Sequence, residues 1–369
     1  MASTTNGFDG FYGTESVAQS YPPLNFYIYK AFYILAASSS YRLSLLIFLI
    51  LLVAAVLTPV IIVLLRASNS VFNTILICLG SLTFLPSIMT IDRGNSLGLA
   101  IPLLFLYLFP SDKLSEIKKT VILMLLVNLK PQFILLMLLQ FRQASWKLTF
   151  QKLFLVISSY LLLFLIGSPG NVIANLKNFI NALRSYGNFD FSRQFPYNYS
   201  FGQGIHNIFS NLFDVKLSSS STSNLALLLS LSSLAIFTRK KILEARDLRI
   251  VLLIPLIFLI PGLSFAYYSI VLMLLILNNS NLFTQKFPVS IGGKFTQTLF
   301  TGSCLLTILP IYLGNDLLGT GDNDLNAIQI FLPSAWVVTY ACILVFVTKY
   351  FLRIKLEEFN TLMDAKVKK

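Results

Sequence analysis

Long apolar runs dominate the chain and are separated by short polar loops. The run at 43–65 contains no charged side chain, and a helix needs about 20 such residues to cross a bilayer. The same pattern recurs along the chain, so the sequence predicts a series of membrane helices. The predicted apolar segments are 43–65, 69–89, 95–110, 120–141, 148–166, 222–238, 249–278, 296–314 and 328–350.

Two of these segments contain a proline break. Lys130-Pro131 interrupts 120–141, and Pro261-Gly262 interrupts 249–278. Proline lacks an amide donor and disfavours helix in the residue before it. Each break therefore predicts either a kink or a tight helical hairpin.

The distribution of charge favours the hairpin. Basic residues collect at 111–119, 142–147 and 239–249 and in the C-terminal tail, as expected of cytoplasmic loops. Loops 111–119 and 142–147 share a side only if 120–141 enters the membrane and returns. Lys130 then lies near the opposite face, and the same reasoning applies to 249–278.

This topology places four segments on the extracytoplasmic face, where most of the unusual polar residues fall. They are residues 1–42, the corner "IDRG" at 91–94, the long loop 167–221 and the acidic loop 315–326. We therefore expect the functional site on this face.

Composition agrees with an integral, multi-pass membrane protein. Hydrophobic residues make up 56% of the 369 positions and charged residues 12%, whereas soluble domains are about one quarter charged. Mean hydropathy is +0.75. No stretch is large enough for a separate soluble domain, so we predict one polytopic domain over 1–369. Cytoplasmic loops account for the net charge of +13, and no nucleic-acid partner is predicted.

Metal and cofactor sites find little support in the sequence. Cys78, Cys304 and Cys342 lie inside apolar runs without metal-site spacing, and His206 is the sole histidine. The acidic loop 315–326 lacks the later glutamate of a calcium loop. No metal or cofactor is therefore predicted.

A few polar residues lie at or near the apolar segments, where burying them would be unfavourable unless they have a structural or functional role. Lys130 either lines a cavity that binds an anion or extends along apolar surface to reach water. Asp92 and Arg93 either form a local ion pair that ends a helix or face a ligand. Asn95 is placed to cap the next helix.

The outer segments also have recognisable patterns. Apolar residues at helical spacing in 171–187 predict an amphipathic helix at the membrane interface. The stretch 195–209 is rich in Tyr, Asn, Gln and Gly and contains His206, whose role is either structural or functional. Asn198 begins a glycosylation sequon. Tyr21-Pro22-Pro23 is a stiff start for a helix at 24–37.

Five short motifs in this order resemble glycosyltransferase family 87, the polyprenyl-phosphate-mannose-dependent mannosyltransferases of the GT-C superfamily. The likeness covers about residues 9–278. The motifs are "YPPL" at 21–24, "DRGN" at 92–95, "LKP" at 129–131, "NYSFGQGI" at 198–205 and "PGLSFAYY" at 261–268.

The resemblance implies an all-α, GT-C-like bundle of about 10–11 transmembrane or re-entrant helices. Its active site opens outside the cytoplasm. It takes a sugar, mannose in this family, from a polyprenyl-phosphate donor and passes it to a hydroxyl of a lipid or glycan acceptor.

In the family an outer-loop carboxylate acts as base and cations hold the donor phosphate. On this chain the resemblance assigns Asp9 as the base and Arg93, Lys130 and His206 as phosphate ligands. The residues assigned to substrate positioning are Asp92, Asn95, Tyr12, Tyr21, Asn198, Gln203 and Tyr267.

The N-terminus departs from the family pattern, which begins with a cytoplasmic N-terminus and a first span before the catalytic Asp. This chain begins directly in sequence typical of an outer loop. We therefore expect either that the first span, and with it the true catalytic Asp, is missing, or that the N-terminus crosses the membrane unaided.

Two other functions compete with this one. An O-antigen polymerase or ligase also handles lipid-linked sugars with outer-face arginines. A transporter would use broken helices with charges, although the sequence has no inverted repeat and its polar residues cluster at one face rather than at mid-membrane.

Overall fold

The structure is a computed structural model, and the chain divides into two compact units. The described part of the first unit falls within 22–187, and that of the second within 200–257 and 333–348. The residues that the structure describes are 22–66, 71–83, 87, 90–91, 95–109, 114–140, 146–167, 171–187, 200–237, 250, 253–254, 256–257, 333–345 and 348. The single polytopic domain over 1–369 stays a prediction.

The described residues are helical and include no strand, which confirms the all-α class. In the first unit the elements are α1 Pro23–Ser38, α2 Tyr41–Arg66, α3 Val71–Thr83, α4 Leu97–Leu108, α5 Glu116–Leu129, a 3₁₀ helix Pro131–Gln140, α6 Trp146–Gly167 and α7 Val172–Gly187. In the second unit they are α8 Phe201–Leu212, α9 Ser219–Phe237 and α10 Pro333–Val345.

Within the described residues, α2 and α6 are long and apolar enough to cross a membrane. The apolar stretches are Tyr41–Leu65 and Lys147–Gly167, of which only 33% and 17% are buried in their most apolar windows. The core helix of a soluble protein would be mostly buried, so the exposed apolar faces favour lipid as their surroundings. The exposed side chains on these faces include Leu46, Ile50, Leu65, Phe150, Phe154 and Ile166.

Helix α4 packs closely against α2 because Gly98 lies at the contact. A Cβ atom at Gly98 would come within 2.9 Å of the Leu52 side chain and 3.1 Å of that of Thr90. This close approach fixes the start of α4 against α2.

The break at Lys130-Pro131 occurs where the sequence predicts it. Helix α5 ends at Leu129, Lys130 is extended (φ −150°, ψ 115°), and the 3₁₀ helix begins at Pro131. Each arm is about 20 Å long, shorter than the roughly 30 Å of a bilayer core. This confirms two short arms rather than one continuous span.

Two contacts decide between a kink and a hairpin. Lys152 of α6 donates to Glu116 at the start of α5 (Nζ–Oε2 2.6 Å), and Asn128 at the end of α5 donates to Ser159 of α6 (2.9 Å). Helices α5 and α6 therefore run side by side in the same direction. The chain must return between them, along the segment that contains the 3₁₀ helix, which confirms the hairpin. Which end faces the cytoplasm stays a prediction.

Helix α7 confirms the helix predicted at 171–187, with its apolar side chains on two faces. Phe179 packs with Phe164 of α6 and Phe26 of α1 in one buried cluster. Ile173 is 84% exposed and Ile180 is also exposed. One face therefore binds the protein, and the other presents isoleucines outward, as an interfacial helix does.

The pair between α5 and α6 predicts a specific instability. Glu116→Gln removes the carboxylate that binds the ammonium of Lys152 at 2.6 Å, and Lys152 is only 2% exposed. We expect a loss of about 1–3 kcal/mol in the free energy of unfolding. This is less than for a fully buried pair, because Glu116 is half-exposed. Thermal unfolding in detergent measures it, with Lys119→Ala as control, since Lys119 is the more exposed partner of Glu116.

The same pair sets a pH dependence. Hydrogen bonds from Lys119 and Lys152 hold the pKa of Glu116 below its ordinary value of 4.5. The stabilisation is therefore complete above about pH 4.5 and is lost as the pH falls through the lowered pKa. Wild-type stability in Glu116→Gln at pH 7 would contradict this account.

Candidate functional site

The start of α1 lies against the helix break of the first unit. Pro22 is extended and Pro23 occupies the first turn, where its missing N–H costs nothing. This confirms the predicted start of the helix at "YPPL". The next polar residue, Asn25, is fully buried, and its Nδ2 donates to the carbonyl of Leu129 at 3.0 Å. Two motifs that are 104 residues apart therefore meet.

Lys130 is buried at this point, with 6% of its surface exposed. A lysine that merely reaches water along apolar surface would expose its ammonium. Burial therefore weakens that interpretation and favours a side chain directed into the protein. Its backbone is held on both sides: its N–H donates to Leu126, and its carbonyl accepts from Phe133.

The corner before α4 also contacts α1. Asn95 is buried, and its Oδ1 accepts from the N–H of Leu97 at 2.9 Å, so its side chain caps the first turn of α4 as predicted, although the residue directly before the helix is Ser96, whose own side chain makes no capping bond. Burial raises the pKa of the Tyr29 hydroxyl, which lies near Ser96. Helix α1 therefore lies close to the start of α4.

These contacts give one end of the first unit a distinct chemistry. It combines a buried lysine, Lys130, with the buried amides of Asn25 and Asn128. Such groups are suited to an anionic ligand with hydroxyl substituents, because the cation stabilises negative charge in a medium of low polarity. Among the described residues no group of three His, Cys, Asp or Glu side chains could hold a metal ion.

The second unit contains the motif "NYSFGQGI" at the start of α8. Ser200 caps this helix, and its Oγ accepts from the N–H of Gln203 at 3.2 Å. The Nε2 of Gln203 donates to the Oδ1 of Asn207 at 2.9 Å. His206 is buried beside them. The first two turns are thus both polar and buried.

Close packing against α10 explains why Gly204 occurs at this position. A Cβ atom at Gly204 would lie 2.2 Å from the carbonyl oxygen of Pro333 and 2.7 Å from the side chain of Val337. Nearby, the ring of Phe201 packs on Tyr340 with centroids 5.0 Å apart. The hydroxyl of Tyr340 is hydrogen-bonded to Ser233 of α9. These contacts anchor the start of α8.

The predicted site residues divide into two sets. Lys130 and Asn95 lie in the first unit, and Gln203 and His206 in the second. The other predicted residues lie outside the part of the chain that the structure describes; they are Asp9, Tyr12, Tyr21, Asp92, Arg93, Asn198 and Tyr267.

Sequence reasoning missed the buried amides Asn25 and Asn128. Asn128 donates to Met124 and Ser159, and its Oδ1 has no hydrogen-bond partner. The signal available was an asparagine within an apolar helix, where burying an amide is costly. Asn25 directly follows "YPPL", so the same argument about a buried amide could have identified it from the sequence.

No known protein family, curated protein or solved structure matches the chain.

The packing at Gly204 predicts a strong and local effect. Gly204→Ala forces the start of α8 away from α10, because the added methyl group meets backbone, and we expect a loss of about 1–3 kcal/mol in stability. Gly80→Ala in α3 is the matched control. It meets nothing within 4 Å and should be neutral or stabilising by about 0.5–1 kcal/mol. Equal unfolding temperatures for the two variants would contradict the assigned packing.

Proposed function

We propose that this chain is a membrane glycosyltransferase of the GT-C type. It transfers a sugar, most simply mannose, from a polyprenyl-phosphate donor to a lipid or glycan hydroxyl on the extracytoplasmic face. The partners are therefore the lipid-linked donor and the acceptor, and the localisation is integral and multi-pass.

The observation that carries the proposal is the contact between two of the motifs in the first unit. Asn25, next to "YPPL", donates to the carbonyl of Leu129 in "LKP". Residues 104 positions apart thus meet beside a buried lysine, Lys130. An assembly of this kind supports a ligand site more strongly than any of the motifs does by itself.

The chemistry of sugar transfer fits these groups. As the glycosidic bond breaks, the leaving polyprenyl phosphate gains negative charge, which a fixed cation stabilises more than it stabilises the substrate. Lys130 acts as a point charge, while Arg93 can bind two phosphate oxygens at once. The family resemblance also assigns the donor phosphate to His206, which lies in the second unit. Asp9 takes the proton from the acceptor hydroxyl as that hydroxyl attacks the anomeric carbon.

The broken helix also favours a second candidate, a transporter. Interrupted helices with a charged residue at the break bind substrates in many secondary transporters. Sealed vesicles separate the two functions. Covalent transfer of labelled mannose to lipid without a transmembrane gradient supports the enzyme, whereas gradient-driven uptake of an unmodified solute supports the transporter.

The two buried lysines allow a controlled test of the phosphate site. Lys130→Ala should lower the transfer rate about 10²–10³-fold, the usual cost of losing one contact to a developing anion. Lys152→Met is the matched control. It removes an equally buried ammonium whose charge is balanced by Glu116, and it should leave the rate of the folded protein unchanged. Wild-type transfer by Lys130→Ala would overturn the assignment of Lys130.

The proposed base is tested by Asp9→Asn, which keeps the shape of the side chain but removes its basicity. We expect a fall of about 10²–10⁴-fold in the transfer rate, since deprotonation of the acceptor then lacks its catalyst. The variant should still bind the donor, which equilibrium binding of labelled lipid can measure. Wild-type transfer by Asp9→Asn would show that another group is the base.

A further inference from the structure

Asn25 differs from the other buried polar residues in the partner that it binds. In a continuous helix the carbonyl of Leu129 would accept from the N–H of Phe133, four residues later. Here the N–H of Phe133 donates to Lys130 instead. The carbonyl of Leu129 is left for Asn25, whose Nδ2 lies 3.0 Å from it.

Three hydrogen bonds therefore fix the backbone around the break. Two are local: Lys130 N–H to Leu126, and Phe133 N–H to Lys130. The third is a tertiary hydrogen bond: Asn25 of α1 donates to the Leu129 carbonyl and so connects α1 to the break. Since Lys130 is extended there, a small rotation of its backbone would move its long side chain by several ångströms.

The energetic cost of burying the Asn25 side chain indicates that this residue has a specific structural role. Its Oδ1 is buried without a hydrogen-bond partner, and its side chain is fully buried. A buried amide oxygen without a partner is destabilising, and a leucine of similar size would avoid this. The benefit that offsets this cost is the Nδ2 donor, because it binds the Leu129 carbonyl at the break.

We propose that Asn25 is the positioning residue of Lys130: its amide holds the helix break from which the lysine side chain leaves, and so fixes the place of the ammonium. This inference rests on the proposed function for its kinetic consequences. Asn25 acts through Lys130 and is not assigned a contact with substrate.

A double-mutant cycle tests the proposal. Asn25→Ala should lower kcat/KM about 10–100-fold, because a displacement of about 1 Å at a charged contact is that costly. In the Lys130→Ala background the same change should cost less than about threefold, since the group that it positions is gone. Equal losses in both backgrounds would overturn the proposal in favour of a general packing role.

Two further variants test whether the lost hydrogen bond to Leu129 causes the loss of rate. Asn25→Asp keeps the size but lacks the donor, and it should lose at least as much rate as Asn25→Ala. Tyr27→Phe is the matched control on the same helix, because it removes another bond from α1 to a backbone carbonyl, that of Leu163 at 2.9 Å. Its effect should be small. Wild-type rates in Asn25→Asp, or failure of both Asn25 variants to fold, would overturn the proposal.

Hydrogen exchange gives a measurement that does not require sugar transfer. The N–H groups of Lys130 and Phe133 should exchange faster in Asn25→Ala than in the wild type, and at the wild-type rate in Tyr27→Phe. If the wild type transfers no sugar from any polyprenyl-phosphate donor, the proposed function fails. Hydrogen exchange then tests by itself whether Asn25 holds the backbone at the helix break. If hydrogen exchange at the N–H groups of Lys130 and Phe133 is unchanged in Asn25→Ala, the proposal that Asn25 holds the helix break is overturned.

Discussion

Pro131 cannot continue an α-helix, because its ring removes an amide donor and crowds the preceding turn. Helix α5 therefore ends at Leu129, Lys130 is extended, and the chain returns through a 3₁₀ helix. Because it returns, α6 begins beside the start of α5, and Lys152 meets Glu116. The break also frees the Leu129 carbonyl, which binds Asn25 and so connects α1 to the hairpin. Much of the packing in the first unit depends on this one interruption.

The hairpin carries a buried lysine at each end, and their surroundings differ. Lys152 lies beside a half-exposed glutamate that a second lysine also binds, so its charge is balanced at the edge of the protein. Lys130 lies at the opposite end, among buried amides and beside the aromatic start of α1. The ion pair at Lys152 holds two helices together. Lys130 lies instead where α5 ends and the Leu129 carbonyl binds Asn25 of α1.

The second unit shows why polar residues do not identify a surface by themselves. Gln203, His206 and Asn207 lie at helical spacing in a polar stretch assigned to the extracytoplasmic face. All three are buried, because Gly204 permits the backbone of Pro333 to approach and Gln203 donates to Asn207. The contact depends on a residue more than a hundred positions away, so local pattern cannot reveal it.

The sequence by itself determined the helical class, the main apolar helices, the break at Lys130-Pro131 and the cap at Asn95. These follow from local causes: the length of apolar runs, the missing donor of proline and the short side chain of asparagine. Charge also predicted the hairpin correctly. Only the tertiary structure decided that Lys130 is buried and that Asn25 binds Leu129, because both depend on which distant helices pack together. Burial and long-range hydrogen bonds are properties of that packing, and they produce no periodic pattern of residues in the sequence.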